Sequence, residues 1–168
     1  MLLTLLALMV AQDAGPLEPA RAGKVQCYDP IVAEKTCRAI GAYRFGADGE
    51  IWNDAQSLVN DTPHIVLRAT TRVYVRDDAE CAKSDNLAEE ITAIEVDGSP
   101  LTGAQFEAVR KQVAEAMATT IGGGEICTRY HPNADGSFRA VASVNGIERP
   151  DLESAVRWVN PADWRLRQ

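Results

Sequence analysis

The chain is poor in the residues from which catalytic sites and nucleic-acid surfaces are usually built. Its 168 residues hold two histidines, His64 and His131. No Gly-x-Ser-x-Gly elbow occurs that would set a nucleophile beside either of them. Basic residues number 17 against 24 acidic ones, for a formal net charge of -7. That balance excludes general affinity for nucleic acid, which needs a cationic surface to release counterions from phosphate. There is no Cys-x-x-Cys pair and no histidine close to a cysteine pair, so a zinc site of the usual spacing is not expected. No apolar run reaches the roughly 20 residues that cross a bilayer as a helix. Gly122-Gly123-Gly124 is not a phosphate loop, because it closes a helical pattern and leads into Glu125, whereas such a loop opens a helix and carries Lys-Ser or Lys-Thr. Asn133-Ala134-Asp135-Gly136 matches part of a calcium loop but places Ala142 where the bidentate acid must stand. No cofactor or metal is expected.

The amino terminus is more informative. Met1 to Ala11 reads MLLTLLALMVA, the length of a signal-peptide apolar core, followed by polar Gln12 and Asp13 and the small residue Ala14. The segment 1–14 is read as a signal peptide, cut after Ala14 or Ala11, although no Lys or Arg precedes the apolar run. Export and an even number of cysteines, Cys27, Cys37, Cys81 and Cys127, together predict two disulfides. Three connectivities are possible. Cys27 to Cys37 with Cys81 to Cys127 is preferred, although a straight helix between the first two would hold them too far apart, so the chain would have to double back.

Along the rest, residues 15–26 lack periodicity and read as an exposed lead-in before a single domain at 27–168. Asp29-Pro30 has the form of a helix start, with Ala33, Cys37 and Ile40 on one face, predicting a helix over about 30–40. Ala42 to Phe45 and Glu50 to Leu58 flank an Asp-Gly turn and predict a hairpin. From Ile65 to Arg76 apolar and polar residues alternate as in a long strand. Six acids between Asp77 and Glu90, against Lys83 alone, predict a solvated loop. Ile91 to Val96 reads as a strand. Thr102 with Gln105 reads as a capping box opening a helix at 103–121 that Gly122 closes. A second hairpin is expected from Glu125 to Tyr130 and Ser137 to Val144, then a short strand at Ala155 to Val159 and a tail from Asn160. This order predicts an α+β fold: a mainly antiparallel sheet with the two helices packed on one face.

The candidate site is a stripe on the long strand. Arg68, Arg72 and Arg76 recur every fourth residue with Tyr74 between them, all projecting from one face. Against an acidic background such a row suits an anionic ligand, but cross-strand acids such as Glu50 or Glu95 could also cover it. The sequence thus predicts a small periplasmic or secreted protein with two disulfides. It would not span a membrane once its leader is removed, and would act by binding an envelope protein or an anionic ligand. A hydrolase of unrecognised type, or an inhibitory partner of another envelope protein, is the alternative.

Overall fold

The computed structural model describes residues 15–168; the expected signal peptide at 1–14 lies outside the described residues. In chain order the elements are α1 (Glu18–Arg21), β1 (Val25–Tyr28), β2 (Thr36–Cys37), β3 (Ala39–Phe45), β4 (Ile51–Asp61), β5 (His64–Arg76), β6 (Ala79–Lys83), α2 (Leu87–Glu90) and β7 (Ile91–Val96). There follow β8 (Ser99–Pro100), α3 (Gly103–Ile121), β9 (Glu125–Pro132), β10 (Phe138–Val144), β11 (Ile147–Glu148), a 3-10 turn at Pro150–Leu152, β12 (Ser154–Val159) and β13 (Arg165–Leu166). No helix among the described residues is long and apolar enough to cross a membrane.

Eight strands close on themselves in the order β4-β3-β1-β12-β10-β9-β6-β5, with β5 pairing back to β4, and every neighbouring pair is antiparallel. The architecture is therefore an antiparallel β-barrel, not the expected open sheet with helices on one face. The alternation along single strands was legible, but alternation does not say whether the last strand meets the first. Closure depends on β5, which pairs with β4 along nearly its whole length. On its other edge β5 is shared, Val73 to Arg76 pairing with β6 and Ile65 to Ala69 with β7.

Three local expectations are corrected. The helix expected at 30–40 is absent: the chain turns through Asp29 and Lys35, both with positive φ, and returns as β2 and β3. β-Branched Ile31, Val32 and Thr36 weaken a helix there, and the Cys27–Cys37 disulfide, with Cα atoms 5.2 Å apart, needs the doubled-back path. The acidic stretch at 77–90 is not one solvated loop. It contains β6 and α2, and Glu80 within it is 9% exposed. The segment 15–26, expected as an exposed lead-in, holds α1 and the start of β1, with Leu17 and Gln26 buried.

The long helix α3 begins and ends as expected, with Gly122 in the left-handed conformation at its C-cap. Thr102, however, makes no side-chain capping bond, so its start rests on packing. Leu67, Ile91, Ile94 and Ala114 form a core there, with Phe106, Val109, Val113 and Met117 around it. Each buried Leu or Ile contributes about 1.5–3 kcal/mol. The second disulfide joins Cys81 of β6 to Cys127 of β9 where the two residues face each other in register. Both bonds follow the preferred pairing, and no free cysteine remains among the described residues.

Candidate functional site in the barrel lumen and mouth

Side chains alternate in and out along each strand, and the inward set contains an unexpected polar cluster. Tyr43 of β3 donates its hydroxyl hydrogen bond to Glu80 Oε2 of β6 at 2.7 Å. Two strands lie between β3 and β6 on the shorter way round, so the contact crosses the lumen. Tyr130 of β9 also reaches Glu80 Oε2 at 2.7 Å, and its oxygen lies 3.2 Å from that of Tyr28 on β1. Tyr28 and Tyr43 both contact Gln26 Oε1, at 3.1 and 2.7 Å. Gly41 makes room for the cluster, because a Cβ there would stand 3.1 Å from Asn53 Nδ2 and 3.2 Å from Gln26 Oε1.

Burial decides the protonation chemistry. Glu80 is held above the ordinary carboxylate range mainly by desolvation, against the pull of Tyr130, Tyr43, Gln26 and Asn53, which favour its charged form. Tyr28, Tyr43 and Tyr130 are all raised, first by burial; Glu80 raises each of them further, and at Tyr130 the neighbouring Tyr28 contributes more than Glu80 does. Proton counting points the same way. The cluster has five oxygen contacts but three hydroxyl protons, and a proton on Glu80 supplies a fourth. Although the Gln26 amide belongs to this cluster, its buried Nε2 has no partner of hydrogen-bond geometry. No Lys or Arg bonds to Glu80 among the described residues; its charge, when present, is held by neutral groups alone.

The cluster communicates with one end of the barrel. There α1 acts as a partial plug, with Leu17 and Ala20 buried against Ile51 and Val73 and packed on Tyr43, Phe45 and Trp158. The guanidinium of Arg21 lies 4.1 Å from the centre of the Phe45 ring. Beside the plug opens a cleft of about 560 Å³ whose lining includes Tyr130, Phe138, Trp158, Pro16 and Pro19. Tyr130 belongs to both places: it lines the cleft, and its hydroxyl ends on Glu80.

The stripe expected to carry a ligand is arranged differently. Arg68, Arg72 and Arg76 share the outer face of β5 and are exposed, but each has a carboxylate partner: Glu95 at 3.0 Å, Glu50 at 2.7 Å, and Glu125 through Arg76 Nη1 at 2.9 Å. The Tyr74 hydroxyl also donates to Glu125, and this bond, followed by Arg76, holds the Glu125 carboxyl below its ordinary range. The row is thus a ladder of cross-strand ion pairs whose charge is largely neutralised in place. His64 and His131 are not brought together: His64 opens β5, its backbone N–H donating to Asp97 Oδ1, while His131 is exposed on β9 opposite Arg139. No group of three potential metal ligands occurs among the described residues.

Glu80 and its tyrosines escaped the sequence reading, yet a signal existed. Among the acids of 77–90 only Glu80 stands between Ala79 and Cys81, and a disulfide cysteine marks an ordered strand. No protein family, curated protein or solved structure matches the chain.

Proposed function

We propose that the protein is an exported, disulfide-stabilised binding module that receives a small molecule, or a side chain of a partner protein, in the cleft at the barrel mouth. The observation that carries this reading is Tyr130, which joins an aromatic cleft to a buried acid of perturbed pKa. Ligand sites are typically clefts of about 300–1,000 Å³ lined by apolar and aromatic groups, with a few placed polar ones, and barrel mouths are among their usual places. Two disulfides and an apolar leader support export. The cluster's hydroxyls donate to Gln26, Glu80 and one another, which suits holding a wall in place.

The test is titration with neutral N-phenylnaphthylamine, followed by energy transfer from tryptophan. Wild-type protein should bind it saturably, and Ala22→Trp, which fills the cleft from an exposed position on its rim, should abolish binding with the thermal midpoint unchanged. Equal binding by wild type and Ala22→Trp would remove the cleft from consideration.

A further inference from the structure

We infer that the group received at the barrel mouth is an organic cation, a protonated or quaternary ammonium, for which buried Glu80 is the counter-charge. The inference rests on the binding reading above and adds the ligand's chemistry. Three features meet at one place. The first is the presence of Tyr130, Phe138 and Trp158 together on the lining, since aromatic rings attract cations and bind them in preference to neutral groups of equal size. The second is Glu80, whose Oε2 lies 2.7 Å from the hydroxyl of Tyr130, itself on the lining. It has three tyrosines and two amides around it and no cation bonded to it, so a cation seated on Tyr130 would be its first opposite charge. The third is the rim. Glu18 and Asp77 line it without ion-pair partners among the described residues, Asp78 is engaged by Arg129 at 2.8 Å, and Lys24 is the one basic side chain on the lining.

The arrangement links binding to a proton. The neutral Glu80 carboxyl offers a cation little, whereas the carboxylate offers a charge in a medium of low dielectric. A cation in the cleft therefore favours loss of the Glu80 proton, and by reciprocity its affinity rises as the pH climbs through the Glu80 titration. The groups facing Glu80 are Tyr28, Tyr43 and Tyr130, and all three are raised above their ordinary range, so none ionises before it.

Three probes sharing one ring separate the outcomes: benzyltrimethylammonium, benzyl alcohol and benzoate, each titrated against the folded full-length mature protein and followed by tryptophan fluorescence and by the ring resonances of Phe138 and Trp158. The cation should bind about tenfold more tightly than the alcohol at pH 8, with benzoate weakest, and its advantage should shrink toward pH 4. Glu80→Gln should bring the affinity for the cation close to that for the alcohol. If alcohol and cation bind alike in wild type, the cleft stands and the cationic ligand is wrong. A preference that survives in Glu80→Gln assigns it to Glu18 and Asp77, and overturns the role of Glu80. If no probe perturbs Phe138 or Trp158, the binding reading itself fails. Should Glu80→Gln not fold, the double variant Glu18→Gln/Asp77→Asn decides: the cation preference should persist in it, and its loss overturns the role of Glu80.

Discussion

Tyr43 and Glu80 hold the two sides of the barrel together: a hydroxyl on β3 and a carboxylate oxygen on β6 meet at 2.7 Å across the lumen. Most of the remaining cohesion runs between neighbouring strands, through backbone ladders that any suitable sequence could make. This contact is specific to its side chains, and it places an ionisable group where an apolar residue would ordinarily stand.

Glu80→Gln should be more stable than wild type at neutral pH, by an amount that grows with pH. The sign follows from the raised pKa of Glu80. Its contribution is fully present below the unfolded value of about 4.3 and is lost as the pH rises through its folded value, with roughly 1.4 kcal/mol for each unit between the two. Urea unfolding of both proteins at pH 4 and pH 8 measures this. Asp54, Asp78, Asp135, Glu125 and Asp151 are lowered instead and lose their contribution as pH falls, but they cancel between the two proteins. A stability difference independent of pH would refute the assignment.

Removal of single hydroxyls should rank by contact distance. Tyr43→Phe takes away two contacts at 2.7 Å and leaves Gln26 Oε1 to Tyr28 and Glu80 Oε2 to Tyr130 alone, which costs about 1 kcal/mol. Tyr28→Phe takes away contacts of 3.1 and 3.2 Å and should cost less. Chemical unfolding at pH 6 gives the order, and the reverse order would show that the lumen is not organised about Glu80.

The two disulfides should contribute unequally. Cys27 and Cys37 are 10 residues apart and Cys81 and Cys127 are 46 apart; on the loop-entropy view the longer loop contributes about 1 kcal/mol more. Paired Cys→Ala variants compared by urea unfolding test it, and equal losses would argue that native-state packing, not chain entropy, sets the values.

What was legible in the sequence was whatever is encoded over short range. Ile65 to Arg76 alternates along its whole length, and α3 carries both its apolar spacing and its terminal Gly122. Cys27 and Cys37 pair as preferred because sequence proximity favours a local loop. The Asp29-Pro30 start failed because a cap proposes a helix only when the residues after it can continue one, and here Ile31 and Val32 lead into a turn. Glu80 failed for a different reason: acidic density was averaged over fourteen positions, and burial belongs to one of them. Closure of the barrel and meeting of three tyrosines, drawn from β1, β3 and β9, are relations between distant segments that no local pattern records.

Replacing Arg68, Arg72 and Arg76 together by Gln should leave the fold intact. Their side chains are 44%, 63% and 53% exposed, and exposed ion pairs contribute about 0–1 kcal/mol each. Thermal unfolding should show a small shift that shrinks further in high salt, as screening already weakens the pairs in wild type. A loss of several kcal/mol would show that the ladder is a structural girdle of the barrel.

The chain between β6 and β9 leaves the barrel and comes back to where it left. Ser84 donates to the Gly124 carbonyl through both its backbone N–H, at 2.9 Å, and its hydroxyl, at 2.8 Å, and Lys83 faces Glu125 in register. Everything between, α2, β7, β8 and α3, is therefore an excursion with coincident ends, topologically separable from the ring that encloses Glu80. A tight turn from Ser84 to Gly124 would preserve the strand order of the barrel, bare the Ile65 to Ala69 edge of β5 and remove the contacts that His64, Leu67, Arg68, Thr71 and Arg149 make with the lobe. The lobe and the mouth are thus free to change length and sequence independently, and alterations of the excursion need not alter what the lumen holds.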